Sequence, residues 1–433
     1  MNKEILKLAI PNIISNISVP LLSTVDTALM GHESSLHLAS VGIAAMVFNL
    51  IYWNFGFLRM GTTGLSAQAY GQNDNTKLTN TLVRALFLSL IISFLLIIFQ
   101  TPIIKIVAYF MNIDQNYYLL VVQYFEIRIF AAPATLSLYV LFGWFFGLQN
   151  AIIPLIITLF VNIINIVLSY YFVKELNLGI QGVAYGTVIA QYGGVFLAFI
   201  LLFRYKNRLQ SIKKEDILNK NSLMKFLNIN KDIFIRTIAL TFAFAFFYAQ
   251  NAKEGEMALA ITVILFQFLS WISFGIDGFA YAAESLVGKY FGARDRKKLY
   301  QAIRYSFYWG FLLAVFYAFV YYFAGEWILK LYTNKNDLIE ATKPYLFWTI
   351  MMGFAGFVAF VWDGVFIGLT ASKEMRDSVL ISLVIFIAVF YILQPFGSLH
   401  LYWFSFLLFL FVRGVLQSWM FYRKIKKNFE LFS

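Results

Sequence analysis

Long apolar runs separated by short polar punctuation dominate the chain. Twelve runs can be marked, at 7–30, 38–60, 82–104, 120–146, 152–173, 180–203, 233–251, 257–283, 303–324, 343–368, 377–395 and 399–422. Each is near the length of about 20 residues that a helix needs to cross the hydrocarbon core. The runs are continuously apolar and not alternating, so spanning helices are expected and a barrel is not. One polar stretch is much longer than the rest, residues 204–232, and it falls between the sixth and seventh runs. The expected organisation is therefore an N-terminal lobe of six helices over 1–203, a connector over 204–232, and a C-terminal lobe of six helices over 233–433. The fold class is all-α integral membrane, with twelve transmembrane helices in two six-helix lobes.

Composition sharpens this picture. Of 433 residues, 61% are hydrophobic and 13% charged, against about 25% charged in soluble chains. A soluble enzyme, a disordered chain and a coiled coil are excluded. Cysteine is absent, which removes disulfides, thiol catalysis and Cys-based metal sites. The first run has no small-residue cleavage site after it, so it reads as a retained helix and not a signal peptide.

The net charge of +12 raises the question of nucleic acid. Its distribution answers it. With the N-terminus inside, 25 of the 34 Lys and Arg fall in inside segments, six in outside segments, and Arg59, Arg128 and Arg413 within spans. That bias is the positive-inside rule, and no nucleic-acid partner is expected. The chain is placed in the cell (inner) membrane, multi-pass, with both termini cytoplasmic.

The halves align without a gap at a constant offset of 221 residues. Leu38-Ala39 falls on Leu259-Ala260, Gly71 on Gly292, Gly143 on Gly364, and Gly147-Leu148 on Gly368-Leu369. Six spans per half give both halves one orientation, so they are parallel repeats about an axis along the membrane normal. Such repeats suit a transporter whose central cavity opens to alternate sides.

Ionisable groups inside a membrane are costly and usually functional. Four acids are assigned to the spans: Asp26, Asp277, Glu284 and Asp363. Asp277 and Asp363 each lie about twenty residues into an inward-running helix, so they should share a depth and form a pair. Glu284 follows Asp277 by two helical turns on the same face. Carboxyl groups taken out of water can exchange protons near neutral pH. The competing reading for each is a static ion pair with Arg59, Arg128 or Arg413. Asn162, Asn165 and Ser169 in the fifth span and Thr187 in the sixth are candidates to sit beside Asp26, or serve as helix–helix hydrogen-bond glue. Pro11 and Pro20 are expected kinks in the first helix. The GxxxG spacing at Gly288–Gly292 reads as close packing.

Aromatic residues make up 19% of the chain. An aromatic, Met-containing wall with a few acids suits large amphipathic cations. No Walker-type loop occurs, so ATP is not the direct energy source. No HExxH or GxSxG occurs either, and no catalytic residue, metal set or cofactor is assigned.

Five segments carry a resemblance: LAIPNIISNISVPLLSTVDTALMGH (8–32), FGFLRMGTTGLSAQAYGQ (55–72), IRIFAAP (127–133), FGIDGFAYAAESLVGKYFGARD (274–295) and FVWDGVFIGLTASKEMRD (360–377). With them the chain resembles the multidrug and toxic compound extrusion (MATE) transporters, in the branch named for the DNA-damage-inducible F protein. The resemblance covers essentially the whole chain. It implies export of drug-like or toxic compounds driven by an ion gradient. In that family a first-helix aspartate is the proposed cation site of the N-lobe, and Asp26 matches it. Pro11 matches the proline proposed to bend that helix. Asn165 matches the fifth-helix Asn, but Ser169 stands where the pattern has Asp, and Thr187 matches a polar sixth-helix neighbour. Asp277, Glu284 and Asp363 match acids of the C-lobe. The missing carboxylate at 169 weakens the case for sodium.

The reading is a cation-coupled antiporter, with H+ as the coupling ion and Na+ possible, working as a monomer on small-molecule substrates in the bilayer. A lipid-linked precursor flippase of the wider superfamily is the alternative, then a membrane receptor or enzyme. A flippase cavity should be strongly cationic, whereas three arginines face four acids within the spans.

Overall fold

The structure, a computed structural model, describes residues 1–31, 34–211, 213–217 and 219–425, with side chains described outside 19–28, 31, 214, 424 and 425. Twelve long helices follow the twelve apolar runs. They are α1 (Asn2–Gly31), α2 (Ser35–Gly71), α3 (Asn75–Ile98), α4 (Gln115–Gly147), α5 (Ile152–Glu175), α6 (Gly179–Arg208), α7 (Lys220–Lys253), α8 (Glu256–Gly292), α9 (Arg296–Tyr332), α10 (Asn336–Gly368), α11 (Ser372–Phe396) and α12 (Leu399–Arg423). Among the described residues α2 to α12 are each long and apolar enough to cross a membrane, and no strand occurs. Inside α4 a 3-10 turn at Ile129–Ala131 precedes Pro133, whose ring and missing N–H disfavour a continuous α-helical ladder there.

The apolar windows locate the helices but not their ends. α2 and α8 continue to Gly71 and Gly292, past the expected ends at 60 and 283. α3 starts at Asn75 and stops at Ile98, where 82–104 was expected. α7 starts at Lys220, so the second half of the expected 204–232 connector is helix. An apolar window measures the hydrocarbon crossing, whereas backbone bonding continues into water on polar residues. The polar start of α7 is also anchored. Asp232 is buried, accepts from Arg376 Nη1 at 2.6 Å, and accepts from Ser372 Oγ at 3.2 Å.

The chain divides into two compact units, Ile14–Phe226, and Met1–Ile13 with Leu227–Ser433. The first turns of α1 thus belong with the C-terminal helices and not with the N-lobe expected over 1–203. Tyr290 donates to Glu4 Oε1 at 2.8 Å, and Trp309 Nε1 to Asn2 Oδ1 at 3.2 Å. A Cβ on Gly278 would lie 2.9 Å from the Ala9 carbonyl oxygen, so only glycine lets α8 approach α1 there.

The 221-residue repeat is visible as backbone geometry inside each unit. α2 ends with Asp74 N–H bonding Ala69 O and Asn73 at φ +54°; α8 ends with Asp295 N–H bonding Tyr290 O and Arg294 at φ +55°. Asp74 then caps α3 by accepting from Lys77 N–H, and Asp295 caps α9 by accepting from Lys298 N–H. A second pair of turns follows α4 and α10. Gln149 and Thr370 take positive φ there, and the N–H groups of Asn150 and Ala371 reach back to Phe145 O and Phe366 O. These six-to-one bonds satisfy carbonyls that a helix end leaves free. The glycine contacts repeat too. A Cβ on Gly143 would fall 2.4 Å from Arg59 O, and one on Gly364 would fall 2.2 Å from Ala280 O. A Cβ on Gly368 would likewise fall 2.8 Å from Glu284 O and 2.9 Å from the Gly288 nitrogen, so α10 packs closely on the α8 backbone beside Gly288.

Candidate cation-coupling site

In the C-terminal unit four helices bring charge to one buried place. α10 supplies Asp363, α7 Arg236, and α12 Arg413 and Gln417, all at least nine-tenths buried. Both guanidiniums donate to Asp363 Oδ2, and Gln417 Nε2 donates to Oδ1 at 2.6 Å. Arg413 and Gln417 are one turn apart, so α12 presents both to the same carboxylate. The Arg413 guanidinium also sits 5.7 Å from the Phe360 ring centre. Gly364, beside Asp363, closes α10 onto the α8 backbone, and α8 carries the other two acids. Asp277 and Glu284 act electrostatically on Arg236, and Asp277 also on Arg413. Glu284 is buried and Asp277 half-buried.

Asp277 and Asp363, the acids expected to pair, thus have the same two arginines in common: Asp363 bonds both and Asp277 acts on both electrostatically. The static partner proposed for the acids, Arg413, does hold Asp363. Arg128 instead receives the faces of Phe48 and Tyr124, at 4.7 and 5.4 Å, and donates to Tyr124 Oη at 2.8 Å. Arg236 was counted from the sequence among the inside charges; it is 6% exposed and within α7. With Arg236 added, four arginines stand against the four acids singled out from the sequence, and the count that disfavoured a flippase is level. Arg236 and Gln417 escaped the sequence reading. The available signals were one basic residue inside the apolar stretch IFIRTIALTF, and the four-residue spacing from Arg413 to Gln417.

Asp363 is bonded to both guanidiniums, and the Asp277 and Glu284 carboxyls act on them electrostatically, so three carboxyls stand against two guanidiniums. With all five ionised, one negative charge is in excess. Several of its polar atoms, Arg236 Nε, Arg413 Nε and Gln417 Oε1, are buried with no hydrogen-bond partner among the described residues. Unsatisfied buried groups are costly, so an arrangement that satisfied them would be favoured.

In the N-terminal unit Asn165 Nδ2 donates to Thr187 Oγ1 at 2.9 Å, and Thr187 donates to Val183 O at 3.0 Å. Asn165 Oδ1 and Ser169 Oγ are buried without a partner among the described residues. A Cβ on Gly186 would fall 2.6 Å from Ser169 Oγ, so α5 and α6 touch at Ser169. Asn162 lies apart from this pair, with Nδ2 3.3 Å from Ser18 Oγ. The side chain of Asp26 lies outside the described residues. α1 runs through Pro11 as one helix, with Asn12 Nδ2 donating to Leu8 O at 2.9 Å beside it.

The comparisons agree on family. The MatE family profile matches residues 11–171 and 233–395. DNA damage-inducible protein F of Escherichia coli is 34% identical over 96% of this chain and 90% of its own. Protein DETOXIFICATION 44, chloroplastic, of Arabidopsis thaliana is 24% identical over 96% of this chain and 81% of its own. A MATE protein solved in a bent conformation superposes with TM-score 0.86 at 20% identity, covering 100% of this chain and 96% of that one. The chain belongs to the MatE family of multidrug and toxic compound extrusion transporters, in the branch of DNA damage-inducible protein F.

Proposed function

We propose that this transporter exports amphipathic cations in exchange for protons, and that the Asp277–Glu284–Asp363 cluster with Arg236 and Arg413 couples the two. The carrying observation is a buried carboxylate, Asp363, bonded to two buried guanidiniums on which two further acids act, so that carboxyls outnumber guanidiniums by one. A buried excess charge is expensive. Either a proton on one carboxyl or a cationic substrate within electrostatic reach neutralises it, and the second then gains nothing. Exclusive occupancy of one excess charge is the logic of antiport. Asp277, the half-buried member, is the acid that exchanges with water. In the N-terminal unit, Asp26 with Asn165 and Thr187 is a second proton site, lacking a carboxylate at Ser169 that would help hold Na+. Asn162 supports α1 through Ser18, and Pro11 lets α1 bend. No cofactor takes part. One charge crossing 100 mV is worth about 2.3 kcal/mol, roughly a forty-fold gradient.

The flippase reading needs free cationic groups for a pyrophosphate. Arg236 and Arg413 are instead committed to Asp363. We place the termini of this inner-membrane protein in the cytoplasm, on the Lys/Arg distribution, which stands at 24 to six once Arg236 is moved into a span, and take the working unit to be one chain. The test is efflux of a fluorescent cation from proteoliposomes. A pH gradient alone should drive it, and Asp277→Asn should abolish the drive. Efflux driven by a sodium gradient at clamped pH would overturn proton coupling.

A further inference from the structure

A cavity of about 480 Å³ opens in the N-terminal unit, lined by the α2–α3 turn, the start of α3, and Asp216, Asn219, Ser222, Lys225 and Phe226. Its volume is in the range of small-molecule sites. Its charged lining is Asp74, Lys77, Arg84, Asp216 and Lys225. Four of these are already committed. Lys77 Nζ lies 3.0 Å from Asp74 and 3.1 Å from Gln72 Oε1. Arg84 donates to Asp216 O and, at 2.9 Å, to Ile217 O, and is electrostatically paired with Asp216. Lys225 has no ion-pair partner among the described residues, so the cavity carries one uncompensated positive charge.

Asn80 lines the same cavity. It is 7% exposed and makes no hydrogen bond among the described residues. Its amide atoms are not sealed from the cavity, so they offer hydrogen bonds to an occupant there. The depth narrows its chemistry. Phe87 and Leu90 of α3 are 66% and 51% exposed and face the lipid. Asn80 is two turns before Phe87, about 10 Å along the axis. That is where the hydrocarbon gives way to headgroups.

We propose that this cavity binds a singly charged phosphate ester, the headgroup of an anionic phospholipid, with Lys225 as ion partner and Asn80 as hydrogen-bond partner. A diester carries one negative charge and several acceptor oxygens, which matches one free ammonium and one free amide. Bound there, it ties the second turn of α7 to the start of α3. On the proposed orientation the lipid comes from the cytoplasmic leaflet. At the 221-residue offset Asn80 becomes Gln301 and Arg84 becomes Tyr305, so the C-terminal half does not duplicate the site.

The test uses the full chain in zwitterionic detergent, titrated with dioctanoyl phosphatidylglycerol and followed by native mass spectrometry. One phosphatidylglycerol should bind per chain, more tightly than dioctanoyl phosphatidylcholine. Lys225→Gln, at an exposed position, and Asn80→Leu should each weaken it about tenfold. Lys105→Gln, outside the cavity, should not. Displacement by glycerol 3-phosphate at similar concentration would support the phosphate site but assign it to a soluble ester. Equal binding of the two lipids, or unchanged affinity in Lys225→Gln, would overturn the proposal, whether or not Asn80→Leu folds.

Discussion

Replacing Asp363 by Asn removes one charge and leaves its neighbours in place. Asp363 is where two guanidiniums meet, both donating to Oδ2. Without the carboxylate, Arg236 and Arg413 lose the oxygen that both bond and repel each other, and although Asp277 and Glu284 balance them in number, neither replaces the shared bonds to Oδ2. At about 5 Å and an effective dielectric near 20, that repulsion is about 3 kcal/mol. It matches the ~3–5 kcal/mol expected when one member of a buried ion pair is lost. Each unit is about 200 residues, for which 1 kcal/mol moves Tm by about 2–4 °C, so Asp363→Asn should lower the melting temperature by roughly 6–12 °C. Arg236→Met should cost less, because Arg413 and Gln417 still serve Asp363. The double variant should recover part of the loss, with a coupling energy of about 2–3 kcal/mol. Thermal unfolding of the four proteins in one detergent, followed by size-exclusion fluorescence, reads the cycle. Additive losses would show that Asp363 and Arg236 do not act on each other, and the charge cluster would lose its basis.

Three further outcomes are expected. Gly186→Val should push α5 from α6 at Ser169 and cost about 1–3 kcal/mol by overpacking, read as reduced melting temperature with α-helical circular dichroism retained. Asp295→Ala should cost about 1 kcal/mol through loss of the α9 cap; because the Lys298 N–H holds the Asp295 carboxyl below its usual range, the bond is present above the ordinary carboxyl pKa and lost as pH falls through the lowered one, which hydrogen exchange at Lys298 should track. In this cysteine-free chain, single cysteines at Ser222 and Lys335 should label only from the cytoplasmic and only from the outer side respectively, and reversed labelling would sink the proposed orientation.

The helices were legible because spanning segments must be apolar throughout, and that constraint is local. The repeat was legible because glycine leaves a mark where backbones touch. Gly143 and Gly364, aligned from sequence, both meet a carbonyl oxygen that no Cβ could tolerate. Helix ends were not legible, since the polar half of α2, GTTGLSAQAYG, is helical for reasons that hydropathy does not record. Asp363 could be named as a buried acid, but its partners come from α7 and α12, 127 and 50 residues away. Arg236 in particular looked like the last of a run of loop charges. Only packing distinguishes a basic residue that ends a loop from one that neutralises an acid, and packing is a tertiary fact.

The same 221-residue offset shows what the two halves share and what they do not. The turns, caps and glycine contacts coincide position by position. The chemistry does not. Arg236 falls on Ser15, Asp277 on Gly56, Glu284 on Thr63, Asp363 on Phe142 and Arg413 on Tyr192. In the other direction, Asp26 falls on Phe247, which is fully buried against Phe266, Trp403 and Phe406. A scaffold position that one half fills with a carboxyl is thus filled in the other with aromatic core. Buried charge must be neutralised locally, and each neutralising set draws on several helices, so it cannot be duplicated by one substitution. Two units built on one backbone plan therefore carry different ionisable sets, and substitutions in one set should change coupling without copying the effect of substitutions in the other.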